Sequence, residues 1–132
     1  MKLTDEERKQ VVSHRLQRAK STLHEARVNA ELEFWHTVAN RLYYACYYAT
    51  SGLLVKHGHI TRTHSGVINL FSQHFVSTGL ISEEQGRFYS KLFEFRQKSD
   101  YNDWVTIQPE VVMQMITPAE ELIVSVEKLI LI

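Results

Sequence analysis

The sequence has very few cysteines, no long apolar run and no net charge. Cys46 is the only cysteine among 132 residues, which excludes a disulfide framework and makes a cytoplasmic location the expectation. No apolar run reaches the roughly 18 residues that a transmembrane helix needs, and the N-terminus is polar and acidic, so we expect neither a secretory signal nor membrane association. Proteins that coat nucleic acid by charge alone are normally basic, so the zero net charge gives no reason to expect DNA binding.

Signatures of phosphate loops and metal sites are also lacking. The five glycines are scattered, and none belongs to a loop of the GxxxxGKS/T type. His57, His59 and His64 come close together, but their loop has no Cys, Asp or Glu to complete a site, so we predict no metal and no cofactor. We retain His64 as a candidate because it stands at the predicted start of a helix, where a polar group can serve exposed amides.

Helical periodicity recurs along the chain, and strand signals do not. We predict an all-α fold, an antiparallel bundle of about five helices in a single domain over residues 1–132. Thr4 and Glu7 have the spacing of a capping box, so the first helix is expected over about residues 5–31. The second, expected over about residues 34–57, is apolar almost all round, which predicts that it lies at the centre of the bundle.

The remaining helices have weaker boundaries. Gly58 should stop the second helix, a third should end near Gly79, and a fourth should begin after Ser82, which has capping-box spacing. The turn residues Asn102 and Asp103 should end the fourth helix. Its predicted core face consists of Phe88, Leu92 and Phe95.

The last segment contains an internal proline. Pro118 suits the first turn of a helix better than its interior, so we expect the helix to kink or restart at Thr117. The apolar tail over residues 129–132 is expected to pack against something, such as a second subunit.

The second helix has four tyrosines within six positions, from Tyr43 to Tyr48. A buried tyrosine ring supplies apolar area, but its hydroxyl needs a partner. Asn40 and Arg41 precede these rings, and a guanidinium one turn before Tyr44 can stack on it. The pattern indicates either an internal polar network that sets the helix register or one wall of a site, and the sequence leaves both open.

The fourth helix places Arg96 and Asp100 on one face with Tyr89 and Phe93. Spacing alone favours a solvated Arg96–Asp100 pair, because most such pairs lie at the surface. The functional alternative places Arg96 in a cleft, where its planar fork can clamp a phosphate.

Three segments in this order and separation resemble the HEPN family. They are Asn40 to Ala45 on the second helix, Thr63 to Val67 at the start of the third, and Arg96 to Tyr101 at the end of the fourth. The resemblance spans about residues 8–128. It implies a helical bundle that pairs into a homodimer around a polar cleft. Many small prokaryotic members are encoded beside a minimal nucleotidyltransferase in toxin–antitoxin pairs, which implies such a partner here.

The resemblance also implies a chemistry, from which this sequence departs. Active members cleave RNA without a metal, using an arginine followed after four to six residues by a histidine. Arg96 matches the arginine, but the next candidate positions hold Tyr101, Asn102 and Asp103. A tyrosine stays protonated at neutral pH and is a poor general base, and a carboxylate such as Asp100 paired with Arg96 is a weak one.

Three hypotheses follow. The leading one is a dimeric HEPN-type protein that binds a nucleotide, RNA or a nucleotidyltransferase partner, and the second is a metal-independent ribonuclease in which His64 or Asp100 replaces the missing histidine. The third is a structural interaction module in which the polar residues serve only the fold. The cleft of the first hypothesis is lined by Asn40, Arg41, Tyr44, His64, Arg96, Asp100 and Tyr101.

Overall fold

The computed structural model describes residues 2–101 and 106–132 as a bundle of α-helices. The helices are α1 (Asp5–Glu31), α2 (Trp35–Lys56), α3 (His64–Phe71), α4 (Glu83–Tyr101) and α5 (Pro109–Ile130). A π-helical turn, Ser72–Val76, prolongs α3. With five α-helices and no strand in these two ranges, the predicted all-α bundle is confirmed.

Helix α2 lies at the centre of the bundle, as its composition predicts. It packs against α1, α3, α4 and α5, and Val38, Leu42 and Leu53 are completely buried. Each such side chain stabilises the fold by about 1.5–3 kcal/mol relative to an exposed one. The helix ends at Lys56, and Gly58 stops it, with a left-handed φ of 80° and an amide that donates to the Val55 carbonyl at 3.0 Å.

The capping residues place the starts of α1 and α4 as predicted. The Thr4 hydroxyl accepts from the Glu7 amide at 3.1 Å, and the Glu7 carboxylate accepts from the Thr4 amide at 2.9 Å. The Ser82 hydroxyl accepts from the Gln85 amide at 3.1 Å, but the Gln85 side chain donates to Ser125 of α5 instead of completing the box. One polar side chain therefore ties α4 to α5.

Helix α5 runs without a break through Pro118, so of the two predicted outcomes at Thr117 the restart is wrong and the kink stays a prediction. Val112 before the proline and Leu122 and Val126 after it are all completely buried. Packing of one continuous face on the bundle thus outweighs the cost of about 3 kcal/mol that an internal proline carries. The predicted end of α4 at Asn102 and Asp103 lies outside the described residues.

The inward face of α4 differs from the predicted one. Of the predicted core residues only Leu92 is fully buried, and Phe88 and Phe95 are half-buried. The buried stripe is more polar and consists of Tyr89, Leu92, Arg96 and Ser99. It can be buried because other helices satisfy its polar ends: Tyr89 bonds to Thr50 at 2.8 Å and Ser99 to His36 at 3.0 Å.

The C-terminal end is capped by a lysine from α2. Lys56 Nζ donates to the carbonyls of Ile130 at 2.7 Å and Leu129 at 3.2 Å, which satisfies the last turn of α5. Leu131 and Ile132 remain 73% and 89% exposed, so packing of this tail against a second subunit stays a prediction. Within the described ranges, no helix has the length and apolar character needed to cross a membrane.

The buried Thr50–Tyr89 bond yields a stability prediction. We expect Thr50→Val and Tyr89→Phe each to lower the free energy of unfolding by about 1–3 kcal/mol, because each removes the hydrogen bond between the two buried hydroxyls. The double variant should lose less free energy of unfolding than the sum of the two single losses. Urea unfolding of the four proteins measures this coupling, and strictly additive losses would contradict it.

Candidate functional site

Polar and aromatic side chains meet where α2 lies against the C-terminal end of α4. We define the Arg96 cluster as Asn40, Arg41, Tyr43, Tyr44, His64, Arg96 and Asp100. Asn40 Nδ2 donates to Asp100 Oδ2 at 2.9 Å, which joins α2 to α4. Helical periodicity carries Arg96 inward, since it follows Leu92 by one turn on the buried stripe. The structure thus brings together the candidates that the sequence singles out on α2, α3 and α4.

Arg96 is buried among aromatic rings and is only 4% exposed. Its Cζ lies 4.7 Å from the centre of the Tyr43 ring and 5.4 Å from that of Tyr44. Phe93 and Tyr101 each lie 5.8 Å away. Cation–π contacts of this kind contribute about 0.5–2 kcal/mol each and favour a guanidinium over other cations. Tyr101 itself is 77% exposed, so one edge of this ring cage faces solvent.

The polar partners of Arg96 are incomplete. Its Nη1 lies 3.6 Å from Asp100 Oδ2, beyond hydrogen-bonding distance, and that oxygen already accepts from Asn40. Its Nε is buried and has no hydrogen-bond partner in the described part of the chain. The prediction of a solvated Arg96–Asp100 pair is therefore wrong, because the bundle holds this cation out of water with few satisfied donors.

Asn40 links Asp100, the carboxylate beside Arg96, to a second arginine. Arg41 donates to Asn40 Oδ1 from Nε at 3.0 Å and from Nη2 at 2.7 Å. Its Cζ lies 5.4 Å from the Tyr44 ring centre, and its Nη1 is 3.9 Å from the Glu25 carboxylate. These contacts form an internal network, which was one of the two alternatives for this segment. Its role as a wall of a binding cleft stays a prediction.

His64 reaches the cluster from the start of α3. Its Nδ1 shares a hydrogen bond of 2.6 Å with the Tyr43 hydroxyl, and its ring stacks on Tyr47 with centres 4.4 Å apart. Thr63 is the N-cap of α3 and accepts from the Gly66 amide at 2.9 Å, so it serves the helix amides that we assigned to His64. Burial, followed by the positive charge of Arg96, lowers the pKa of His64.

The four tyrosines of α2 divide into two groups. Tyr43 is completely buried, and burial raises the pKa of its hydroxyl despite the opposing effect of Arg96. Tyr44, which belongs to the cluster, and Tyr47 and Tyr48, which follow it along α2, are half-buried. Tyr48 accepts a hydrogen bond from Arg18 of α1 at 2.9 Å.

The other two histidines of this segment, His57 and His59, contact residues outside the Arg96 cluster. His57 packs edge-on against Phe75 at 5.3 Å, and His59 stacks on His74 at 3.9 Å. Within residues 2–101 and 106–132, no group of three His, Cys, Asp or Glu side chains is placed to hold a metal ion.

Several residues of the site were not predicted from the sequence. Tyr43 is the central contact of both Arg96 and His64, and His36, Ser99 and Glu25 support the cluster from its edges. Ser99 has a usable signal, because it continues the spacing of Leu92 and Arg96 along α4. Glu25 has none, since an exposed acid on a long helix is ordinary.

Known proteins share this sequence pattern. The sequence model of the HEPN domain matches residues 12–129. A UPF0332 protein of Thermotoga maritima is 36% identical over 124 residues, which is 94% of this chain and 94% of its own. A Methanocaldococcus jannaschii protein named "Putative toxin" is 32% identical over 83 residues, 63% of this chain and 62% of its own. A UPF0332 protein of Archaeoglobus fulgidus is 24% identical over 106 residues, with coverage of 80% and 84%.

The lowered pKa of His64 gives a pH prediction. Above its ordinary pKa of 6.5 the imidazole is neutral whether the chain is folded or not. Below that pH the unfolded chain binds a proton at His64 that the folded chain resists, so this contribution to stability is lost as the pH falls. Urea unfolding between pH 8 and pH 5 should therefore show a smaller loss of stability for His64→Gln than for the wild type.

A matched pair of arginine variants tests whether the charge of Arg96 contributes to the lowered pKa of His64. Arg96→Met should raise the pKa of His64 in an NMR titration of the imidazole, because it removes the second-largest contribution to the shift. Arg87→Met, on the same helix but with a 66% exposed side chain paired to Glu83, should leave it unchanged. Equal His64 titration curves in the two variants would contradict the assignment.

Proposed function

This chain belongs to the HEPN domain family, and on that premise we propose that it is a dimeric binding protein whose Arg96 cluster takes a phosphate of a nucleotide or of RNA. The observation that carries the proposal is the buried Arg96 guanidinium, whose Nε has no partner among the described residues and whose nearest carboxylate is 3.6 Å away. A phosphate would supply the missing acceptors, since its oxygens match the guanidinium fork.

Aromatic side chains beside Arg96 support a nucleotide over a bare anion. Tyr44, Tyr47 and His64 are half-buried, and each offers a ring within the same surface region. Proteins that bind single-stranded RNA stack its bases on such rings at about 1–3 kcal/mol per base. A phosphate at Arg96 and a base on Tyr44 or Tyr47 would use both features of the α2 surface.

Exposed apolar residues near the cluster support the homodimer. Leu32 and Phe34 are each 57% exposed at the turn before α2, and Tyr101 is 77% exposed at the end of α4. The His36–Ser99 bond holds these two ends together. Pairing of two copies through this region would bury the three side chains and place two Arg96 clusters along one cleft.

The names of two relatives favour a paired genetic system. Two Methanocaldococcus jannaschii proteins at 32% and 28% identity are named "Putative toxin". We include in the proposal a cytoplasmic toxin–antitoxin-like pair with a minimal nucleotidyltransferase as the second component. A nucleotidyltransferase reading frame adjacent to the gene, and co-purification of the two products, would support this part.

The geometry of His64 favours a ribonuclease as the second candidate. A neutral imidazole can accept the proton of a ribose 2′-hydroxyl, and the low pKa of His64 keeps it neutral at pH 7. When Nδ1 donates to Tyr43, Nε2 is the available acceptor, and Arg96, which lies over the Tyr43 ring, can stabilise the phosphate. Asp100 is less suited to this role because it is engaged by Asn40.

Removal of the Arg96 charge tests the binding proposal. Loss of a charge-assisted contact worth about 1.5–3 kcal/mol should weaken binding of adenosine monophosphate and of short RNA roughly ten- to hundredfold in Arg96→Met. Arg87→Met is the control, with an equal charge change at an exposed position of α4, and should bind like the wild type. Calorimetry and fluorescence anisotropy measure the affinities.

The stability of Arg96→Met adds a second readout. Methionine removes the cation–π contacts of Arg96 but also the cost of burying a charge with an Nε unpaired within the described ranges, and Asp100 keeps its bond to Asn40. We therefore expect the free energy of unfolding to change little. Lost binding with retained stability supports a functional arginine. Unfolding of Arg96→Met would favour the structural interaction module instead, and equal binding by both arginine variants would reject the phosphate site.

An RNA cleavage assay distinguishes the proposed binding protein from the alternative ribonuclease. Total RNA and tRNA are incubated with the wild type, Arg96→Met and His64→Gln in the presence of a chelator. The binding proposal expects intact RNA in all three reactions, because α4 lacks the motif histidine. Cleavage by the wild type that persists in chelator and disappears in both variants would establish the ribonuclease in its place.

A further inference from the structure

A second polar pocket opens beside the Arg96 cluster, between α1, α2 and the loop that leads to α3. Its cavity measures about 100 Å³, and its polar lining comes from Arg15, Tyr47, Ser51, His59, Thr61 and Arg62. No acidic residue lines it within the described part of the chain. In a chain with no net charge, the pocket therefore concentrates two positive charges.

Arg15 is held in place by a buried hydroxyl. Its Nη1 donates to Ser51 Oγ at 2.8 Å, and Ser51, which is 4% exposed, donates in turn to the Tyr48 carbonyl at 3.1 Å. This single bond uses one of the five donors of a guanidinium. The side chain is thus oriented by the fold while most of its donors stay available to a ligand.

The two arginines of the pocket, like Arg8 and Arg18, have no carboxylate within 4.0 Å in the described part of the chain. The arginines that have one are Arg27, Arg41, Arg87 and Arg96. Neither Arg15 nor Arg62 has one among the described residues, although Arg15 is half-buried. Unneutralised guanidinium groups that converge on a cavity are typical of a site for an anion.

The loop that carries Thr61 and Arg62 is packed tightly on the first turn of α3. A Cβ atom added to Gly66 would lie 2.2 Å from Thr61 Oγ1, closer than any real contact, so only glycine allows this approach. The loop thereby places a hydroxyl and a guanidinium opposite Arg15 on α1.

Tyr47 connects this pocket to the Arg96 cluster. It lines the pocket and stacks on His64, whose Nδ1 bonds to Tyr43. From Tyr44, beside Arg96, to Ser51, beside Arg15, α2 advances about 10 Å at 1.5 Å per residue. A stacked nucleic acid strand covers that distance in about three nucleotides at 3.4 Å each.

We propose that Arg15, Ser51, Thr61 and Arg62 form a second phosphate subsite, which holds the backbone of a single-stranded oligonucleotide whose other phosphate lies at Arg96. Tyr47 is the stacking surface between the two. The inference rests on the proposed role of Arg96 and assigns to the site a ligand longer than a mononucleotide.

Ligand length and salt dependence test the subsite. Binding of adenosine monophosphate and of a labelled hexaribonucleotide is measured at several salt concentrations for the wild type, Arg15→Gln, Arg62→Gln, Arg96→Met and the control Arg87→Gln. We expect Arg15→Gln and Arg62→Gln to weaken hexanucleotide binding about tenfold and to reduce the slope of log K against log salt by about 0.7 each. Their affinity for adenosine monophosphate should not change.

The outcomes separate the subsite from the primary site. Arg96→Met could weaken the binding of both ligands while Arg15→Gln and Arg62→Gln bind the hexanucleotide like the wild type. In that case the proposed second subsite is wrong and the proposed site at Arg96 stands. If Arg96→Met weakens neither, the proposed function fails and the subsite with it. An equal loss in Arg87→Gln would reduce the effect to net charge and overturn the subsite. Should Arg15→Gln misfold, Arg62→Gln decides alone, because Arg62 is exposed on a loop.

Discussion

Burial of the Arg96 guanidinium against α2 is the constraint on which the rest of the site depends. Removing a cation from water costs several kcal/mol, and a carboxylate at 3.6 Å offsets only part of that cost. Leucine at positions 43 and 44 would fill the same space but would present no negative ring face to the cation. Two of the four tyrosines of α2, Tyr43 and Tyr44, are therefore explained by their contacts with Arg96 of α4. Tyr43 in turn requires His64 as the partner of its hydroxyl.

Features set by neighbouring residues could be predicted from the sequence. The start of α1 at Thr4, the end of α2 at Gly58 and the start of α4 at Ser82 depend on bonds within one turn, and all three predictions are confirmed. The path through Pro118 and the polar inward face of α4 depend on what other helices offer. No local pattern could show that Thr50, 39 positions away, would satisfy the buried Tyr89.

The same limit applies to the site, because its residues can be recognised singly in the sequence but many of its contacts join distant positions. Asn40, His64 and Arg96 stand out individually by residue type and position, yet spacing favoured a solvated ion pair for Arg96 because helical periodicity does not report burial. The Tyr43–His64 bond spans 21 positions, and the Arg15–Ser51 bond spans 36. An arginine at position 15 is indistinguishable in sequence from any polar residue on an amphipathic helix.

The motif histidine of the family is missing from this chain, but the fold brings another histidine near Arg96. The family pattern draws its histidine from the stretch after Arg96, where this chain has Tyr101, Asn102 and Asp103. The bundle brings a different imidazole, His64 of α3, to the same tyrosine, Tyr43, whose ring Arg96 covers. The missing histidine therefore bears only on which helix could supply a base to the proposed site. Arg96 and Tyr43 are held in place by the fold whether or not RNA is cleaved.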